Sequence, residues 1–229
     1  MIVQPKMRVF TADNLQAVKE ALKSYKDTIA NDRVLPIKLR SNEDYEERMK
    51  RRAAVLVPLV NVEGVASILF TVRAVGLKTH AAQVSFPGGH VDEGETIEQA
   101  ATRELFEETN LQVTQILGQW SAARAYTGTM VYPVLGFIDK EMTSEEVRQS
   151  GQVRPDEVSA AFHLPIAHLV QPENRHVEVL TSFRTSRFLG GPEPIWGLTG
   201  FFLEGILKDI LAPSLNLSFP PTPVKRQKL

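Results

Sequence analysis

The chain has 229 residues, 43% of them hydrophobic and 23% charged, which is enough apolar material for one large domain with extensions and too much for general disorder. Its formal net charge of −1 excludes a general attraction to nucleic acid or to anionic membranes, so a site for a polyanion must be local. The absence of cysteine removes disulfides, thiolate metal sites and thiol nucleophiles together, and leaves oxygen and imidazole as the only metal ligands, which favours hard cations.

In chain order, Leu15, Val18 and Leu22 recur at helical spacing behind Thr11 and Asp13, two capping residues, so residues 1–50 read as a helical extension packed on the core. Asp13, Glu20 and Asp27 are interspersed with Lys6, Arg8, Lys19, Lys23 and Lys26, a mixture that suits an amphipathic helix better than an acid-poor transit peptide. The core follows over residues 51–212. "AAVLVPLV" and "VASILFTVRA" have strand composition, and Asn61 to Gly64 between them reads as the turn of a hairpin. "QVTQILGQWSAA" and "MVYPVLGFI" are two further strands, with Tyr126, Thr127 and Gly128 in the turn between them. Residues 139–156 are polar and are expected to loop. "EVSAAFHLPIAHLV" predicts a strand running into a short helix, and "TGFFLEGILKDIL" a long apolar-faced helix. Prolines at 213, 220, 221 and 223 should end it and leave residues 213–229 as a flexible tail. Strands and helices are mixed without a regular βαβ rhythm, so the fold class is α/β (α+β), a mixed central sheet with helices on both sides.

No apolar run is long enough to span a bilayer, and the first residues lack a secretory signal, so an intracellular protein is expected. The closing Gln227-Lys228-Leu229 matches the last two residues of the peroxisomal Ser-Lys-Leu address, with a plain basic tail as the alternative; mitochondrion and cytosol both stay open, as does a homodimer.

Acidic residues concentrate in "GGHVDEGETIEQAATRELFEETNL", residues 88–111. Thr96 with Gln99 has the form of a capping box, which predicts a helix starting at about Ile97. A rotation of about 100° per residue then puts Glu104, Glu107 and Glu108 on one arc, above Ile97, Ala100 and Ala101, so that this side should begin against the core and end in negative charge. Like charges at these spacings cost roughly 0.2–0.5 kcal/mol per pair, and carboxylates at the C-terminal pole of the helix cost roughly 0.3–1 kcal/mol each. Arg103 offsets part of this. A hard divalent cation would offset the rest, whereas a wholly solvated acidic face is the plainer explanation of a glutamate cluster alone.

The segment resembles the signature of the Nudix hydrolases, which runs Gly, five residues, Glu, seven residues, then Arg-Glu-aliphatic-any-Glu-Glu-any-Gly-aliphatic. Gly89, Glu95, Arg103, Glu104, Leu105, Glu107, Glu108 and Leu111 fill it in register, and only Asn110 departs, standing for a Gly just past the helix where Asn is the usual second choice for a left-handed residue. Upstream, "LFTVRAVGLKTHAAQVSFPGG" resembles the segment that marks the coenzyme A diphosphatase branch. Leu69, Thr71, Arg73, Ala74 and Phe86 to Gly89 match it, while Lys78 stands for an Arg and Ala82 for a Gly. "PDEVSAAFHLP" and "IWGLTG" extend the likeness to about Leu211.

What the resemblance implies is a Nudix-type α/β/α sandwich that hydrolyses a nucleoside diphosphate joined to another group, using Mg²⁺ or Mn²⁺. The metal ligands would be Glu104, Glu107 and Glu108, completed by the Gly88 carbonyl. Glu104, or Glu157 from outside the signature, would take the proton of the attacking water, and Arg103 would hold a neighbouring carboxylate. Arg73 and Lys78 would meet the substrate phosphates beside the Gly89 backbone. Lys78 keeps the charge of the Arg it replaces and loses its planar fork. The expected small-molecule partner is coenzyme A or an acyl-CoA. ADP-ribose or a dinucleotide is the alternative within the family, and a catalytically silent binding or scaffold domain the alternative outside enzymes. His80, His90 and Trp196 read as structural or solvated residues.

Overall fold

The computed structural model describes residues 9–28, 51–74, 82–179 and 184–225; Lys78, His80 and Gln227 to Leu229 lie outside the described residues. The centre of the molecule is the strand pair β1 (Arg52–Val62) and β7 (Met130–Met142), which run parallel in register from Arg52↔Met130. β2 (Val65–Arg73) returns antiparallel to β1 through a two-residue turn in which Glu63 (φ 51°) and Gly64 (φ 75°) are both left-handed, the conformation that matches strand twist in a tight hairpin. The same edge of β1 is shared by two partners: Leu59–Val62 pair with β2, and Ala53–Val55 pair with the short β4 (Gly88–His90). Leu56 donates to Pro87 O on that edge, so position 58 faces the gap between the two partners, where Pro58 forfeits no ladder bond.

β3 (Val84–Ser85) and β8 (Val158–Pro165) flank β2, and β5 (Gln115–Gln119) and β6 (Ala123–Arg124) flank β7, all antiparallel. Helices cover both faces. On one, α2 (Ile97–Thr109) lays Ala100, Ala101 and Leu105 on Ala54, Leu56, Val134 and Ile138, and α3 (Ser144–Ser150) adds Val147. On the other, α1 (Ala12–Thr28) buries Leu15, Val18 and Leu22, as its spacing predicted, in one cluster with Ile166 and Leu169 of the short α4 (Ile166–Leu169) and Phe202, Leu203 and Ile206 of α5 (Gly197–Ile206) over Val57, Leu59, Phe70 and Leu135. Burial of each such large side chain contributes about 1.5–3 kcal/mol, and this two-sided packing fixes the sheet against which the acidic helix sits. Among the described residues no helix is long and apolar enough to cross a membrane.

Two expectations are corrected. Residues 139–156 are not one loop: β7 runs on to Met142, and α3 starts behind a capping box in which Thr143 Oγ1 accepts from Glu146 N (3.2 Å) and Glu146 Oε2 accepts from Thr143 N (2.8 Å). Nor does the chain hang loose from residue 213. The α5 helix widens into a π-helical stretch over Leu207–Leu211 and takes one more turn, Ala212–Ser214, which contains Pro213. Leu215 is buried, the fully buried Arg175 donates to Pro220 O (2.6 Å) and to Thr222 Oγ1, and β9 (Arg175–Val179), antiparallel to β10 (Arg184–Phe188), pairs in parallel with β11 (Val224–Lys225).

Candidate active site

The acidic helix begins and ends where local chemistry dictates. Thr96 Oγ1 accepts from Gln99 N (3.2 Å) and Gln99 Oε1 accepts from Thr96 N (2.8 Å); at the other end Asn110 takes φ 55° and donates to Phe106 O (2.8 Å). The apolar half of the inner face packs on the sheet, so the same face carries Glu104 and Glu108 down to the junction of β2 and β4.

Glu108 is only 5% exposed. Its Oε1 accepts from Gly88 N (3.2 Å) and its Oε2 from Thr71 Oγ1 (3.3 Å). Burial pushes its carboxyl up to about 7 and the charge of Glu104 pushes the same way, while the Gly88 N–H, the Thr71 hydroxyl and the Arg73 charge oppose it. Glu104 is also held above the usual carboxylate range, first by burial and then by Glu107 and Glu157, against the pull of Arg103. Glu107 is exposed.

Paired glycines make this approach feasible. A Cβ on Gly88 would lie 2.4 Å from Ala54 O, and one on Gly89 would lie 2.3 Å from Glu104 Oε1, so any side chain at 89 would occupy the place of the Glu104 carboxylate. Arg103 organises the outer side. It grips Glu95 with two parallel bonds (2.9 and 3.1 Å), reaches Glu104 Oε1 (2.9 Å) and Glu107 Oε2 (3.2 Å), and donates to His90 O (3.1 Å). All five guanidinium donors are thereby used, which leaves Arg103 to hold carboxylates rather than to bind a ligand.

The opposite wall is the turn before β8. Glu157 O accepts from Ala74 N (2.8 Å), which welds this turn to the end of β2, and the charge of Glu157 is felt at Glu104. Arg154 donates to the Glu157 carboxylate from the same turn. Arg73 is anchored by its backbone to Gln83 and Ala82, and its charge acts on Glu108. Ala82, in place of the signature Gly, sits at φ 58°, so the position keeps the left-handed conformation that Gly serves best. Phe86 stacks on Phe70 with ring centroids 5.2 Å apart and holds the Pro87-Gly88 corner down. His90 is exposed, and Trp196 is half-buried, with the Arg187 guanidinium 5.9 Å over its ring.

The structure thus brings Glu104, Glu107, Glu108, Gly88, Gly89 and Arg103 together by direct approach, and Arg73 and Glu157 act on that cluster through their charges. Sequence reasoning missed two participants, Thr71 and Arg154. Thr71 was visible as a matched position of the upstream segment, whereas Arg154 had no signal beyond its place beside Asp156 and Glu157.

Among the described residues, no three carboxylate or imidazole side chains form a ready-made metal cage. Mg²⁺ does not ask for one, since it keeps several waters and takes one or two carboxylates together with substrate phosphate oxygens. The donor set fits such an ion: two carboxylates, Glu104 and Glu108, are both penalised as anions by burial, Glu108 further by the charge of Glu104 and Glu104 by those of Glu107 and Glu157, and a cation beside them would reverse these penalties.

The NUDIX domain family model matches residues 49–183. "Nudix hydrolase 3" of Caenorhabditis elegans is 34% identical over 174 residues, covering 67% of this chain and 71% of the relative. "Uncharacterized Nudix hydrolase NudL" of Salmonella typhi is 33% identical over 179 residues, covering 75% of this chain and 89% of the relative. Among solved structures, the NUDIX domain of Shewanella oneidensis NrtR, crystallised with ADP ribose, aligns at 20% identity with a TM-score of 0.41 over 51% of this chain and 73% of that one.

Proposed function

The chain belongs to the Nudix family and is a hydrolase of diphosphate bonds in nucleoside diphosphate derivatives, and we propose that its substrate is coenzyme A or an acyl derivative, split into 3′,5′-ADP and 4′-phosphopantetheine. The observation that carries the reading is where the upstream segment lies: Thr71 bonds Glu108, Arg73 acts on the same carboxylate, and Ala74 holds the Glu157 turn, so the residues that resemble the coenzyme A branch lie against the acidic cluster.

Glu104 and Glu108, with Glu107 beside them and the Gly88 carbonyl in support, would hold Mg²⁺ or Mn²⁺, which when bound neutralises diphosphate charge and lowers the pKa of the attacking water. Arg103 keeps Glu104 and Glu107 in place. Arg73, with Lys78, would grip the phosphates, and the bare backbone at Gly89 admits them close to the helix. Water oxygen joins phosphorus, the bridging oxygen leaves with the other phosphate, and the water proton passes to Glu157 or Glu104.

The test is direct. The purified chain is incubated with Mg²⁺ or Mn²⁺ and with coenzyme A, ADP-ribose, NADH or diadenosine polyphosphates, and the products are identified. Coenzyme A turned over with the highest kcat/KM and yielding 3′,5′-ADP supports the reading. A preference for ADP-ribose or a dinucleotide overturns the substrate, and no turnover of any of them favours a binding role.

A further inference from the structure

Arg154 has no counterpart in the roles assigned above, yet its turn is tied through Glu157 O and Ala74 N (2.8 Å) to the end of the strand whose Thr71 meets Glu108. Its guanidinium donates to Glu157 Oε1 and, through longer contacts of 3.3 and 3.4 Å, to both oxygens of Asp156. Its side chain is 40% exposed. Hydrogen bonding to Asp156 first, then the charges of Glu157 and Asp156, and finally that of Glu107 on the facing helix hold its proton on, so its field spans the cleft from the Glu157 turn to the acidic helix. The turn itself is rigid, since Arg154 O accepts from Glu157 N (2.9 Å) and Val158 N (2.8 Å) while Glu157 O is tied to Ala74.

The contrast with Arg103 decides what such a residue can do. Arg103 is fully committed to fixed partners. Arg154 is held by side-chain bonds to two carboxylates of its own turn, and one of these, Glu157, faces a cluster that is short of positive charge. A dication held by Glu104 and Glu108 would compete for Glu157. Once Glu157 turned to it, Arg154 would keep only the two longer contacts to Asp156, and its 40% exposed fork could exchange these for phosphate oxygens. Planar guanidinium suits phosphate oxygens in pairs.

We propose that Arg154 is a substrate-positioning residue, parked on Glu157 and Asp156 while the cleft is empty and transferred to a phosphate of the substrate when a divalent cation draws Glu157 away. This rests on the diphosphatase reading, and it assigns the appended or leaving phosphate, rather than the metal-bound oxygens, to Arg154.

Two measurements on the full chain test it, with Arg154→Ala and Arg154→Lys. The first is Mn²⁺ binding to the substrate-free protein, read by calorimetry or by the resonance of free manganese. Removing the competing cation in Arg154→Ala should tighten Mn²⁺ binding by about three- to tenfold, with Arg154→Lys nearer the wild type. The second is steady-state kinetics on the best diphosphate substrate. Arg154→Ala should raise KM by about ten- to a hundredfold with kcat changed less than about threefold, and Arg154→Lys should recover part of the loss. Unchanged or weaker Mn²⁺ binding, or an unchanged KM in a folded Arg154→Ala, overturns the assignment. If the wild type hydrolyses none of the diphosphates, the functional reading fails on its own, and the Mn²⁺ result still decides whether Arg154 competes for Glu157.

Discussion

Replacing Glu108 by Gln separates the stability of the fold from the demands of the site. Burial raises the Glu108 carboxyl from its ordinary 4.5 to about 7. At about 1.4 kcal/mol per tenfold, the full gap amounts to about 3 kcal/mol of folding stability. The sign follows from proton binding. Between 4.5 and 7 the folded chain holds a proton that the unfolded chain has released, so this contribution is complete below 4.5 and is lost as pH rises through about 7. Gln keeps the shape, still accepts from Gly88 N, and lets the Thr71 hydroxyl turn to accept from the new amide. Glu108→Gln should therefore be more stable than the wild type by about 3 kcal/mol at pH 8 and by only about 1 kcal/mol at pH 5.5. Urea unfolding at the two pH values, with chelator present, measures the difference. Added Mn²⁺ should raise the wild type and leave the variant nearly unmoved, while kcat of the variant falls by orders of magnitude. A variant that is less stable than the wild type by the same margin at both pH values refutes the reasoning, because the charge of Glu108 would then not be the strained element.

Gly89→Ala puts a methyl group 2.3 Å from Glu104 Oε1, and the flexible carboxylate rather than the backbone must give way. Activity should fall by about tenfold or more with little change in the thermal midpoint, checked by kcat and by circular dichroism. Ala82→Gly relieves a left-handed alanine at φ 58° and should stabilise the fold by about 1 kcal/mol in urea unfolding.

What was legible in the sequence was local. The capping box of Thr96 and Gln99, the left-handed Asn110 and the inner face of the helix are all i, i+3 and i, i+4 relations, and each stands where spacing put it. The α3 helix was missed because Val147 is its only large apolar contact with the core, too weak a pattern against a polar background, although Thr143 and Glu146 repeat the capping signal. Contacts that join distant segments had no local trace. Thr71 meets Glu108 across 37 positions, and nothing near Pro220 announces that its carbonyl answers a buried Arg175 across 45 positions. The prolines were read as the mark of a loose tail, yet the Pro220 carbonyl and the Thr222 hydroxyl between two of them take donors of that guanidinium.

The carboxylates of the cleft are kept in unequal states, and this inequality predicts which arginine moves. Glu108 is buried with only dipoles and a distant charge to help it, Glu104 shares Arg103, Glu107 is exposed, and Glu157 is covered by Arg154. Displacing Arg103 would break bonds to Glu95, Glu104, Glu107 and His90 O together, whereas displacing Arg154 breaks only side-chain bonds within one turn. Arg103 therefore stays in place through the reaction and acts on the geometry of the ligands. Arg103→Lys keeps the charge and loses the fork, so it should lower kcat by roughly ten- to a hundredfold with KM little altered, the reverse of the pattern for Arg154→Ala. Measuring both parameters for the two variants on one substrate makes the comparison. If Arg103→Lys raises KM while sparing kcat, the arginine that organises the carboxylates also grips the substrate, and the division of labour drawn from their hydrogen bonds is wrong.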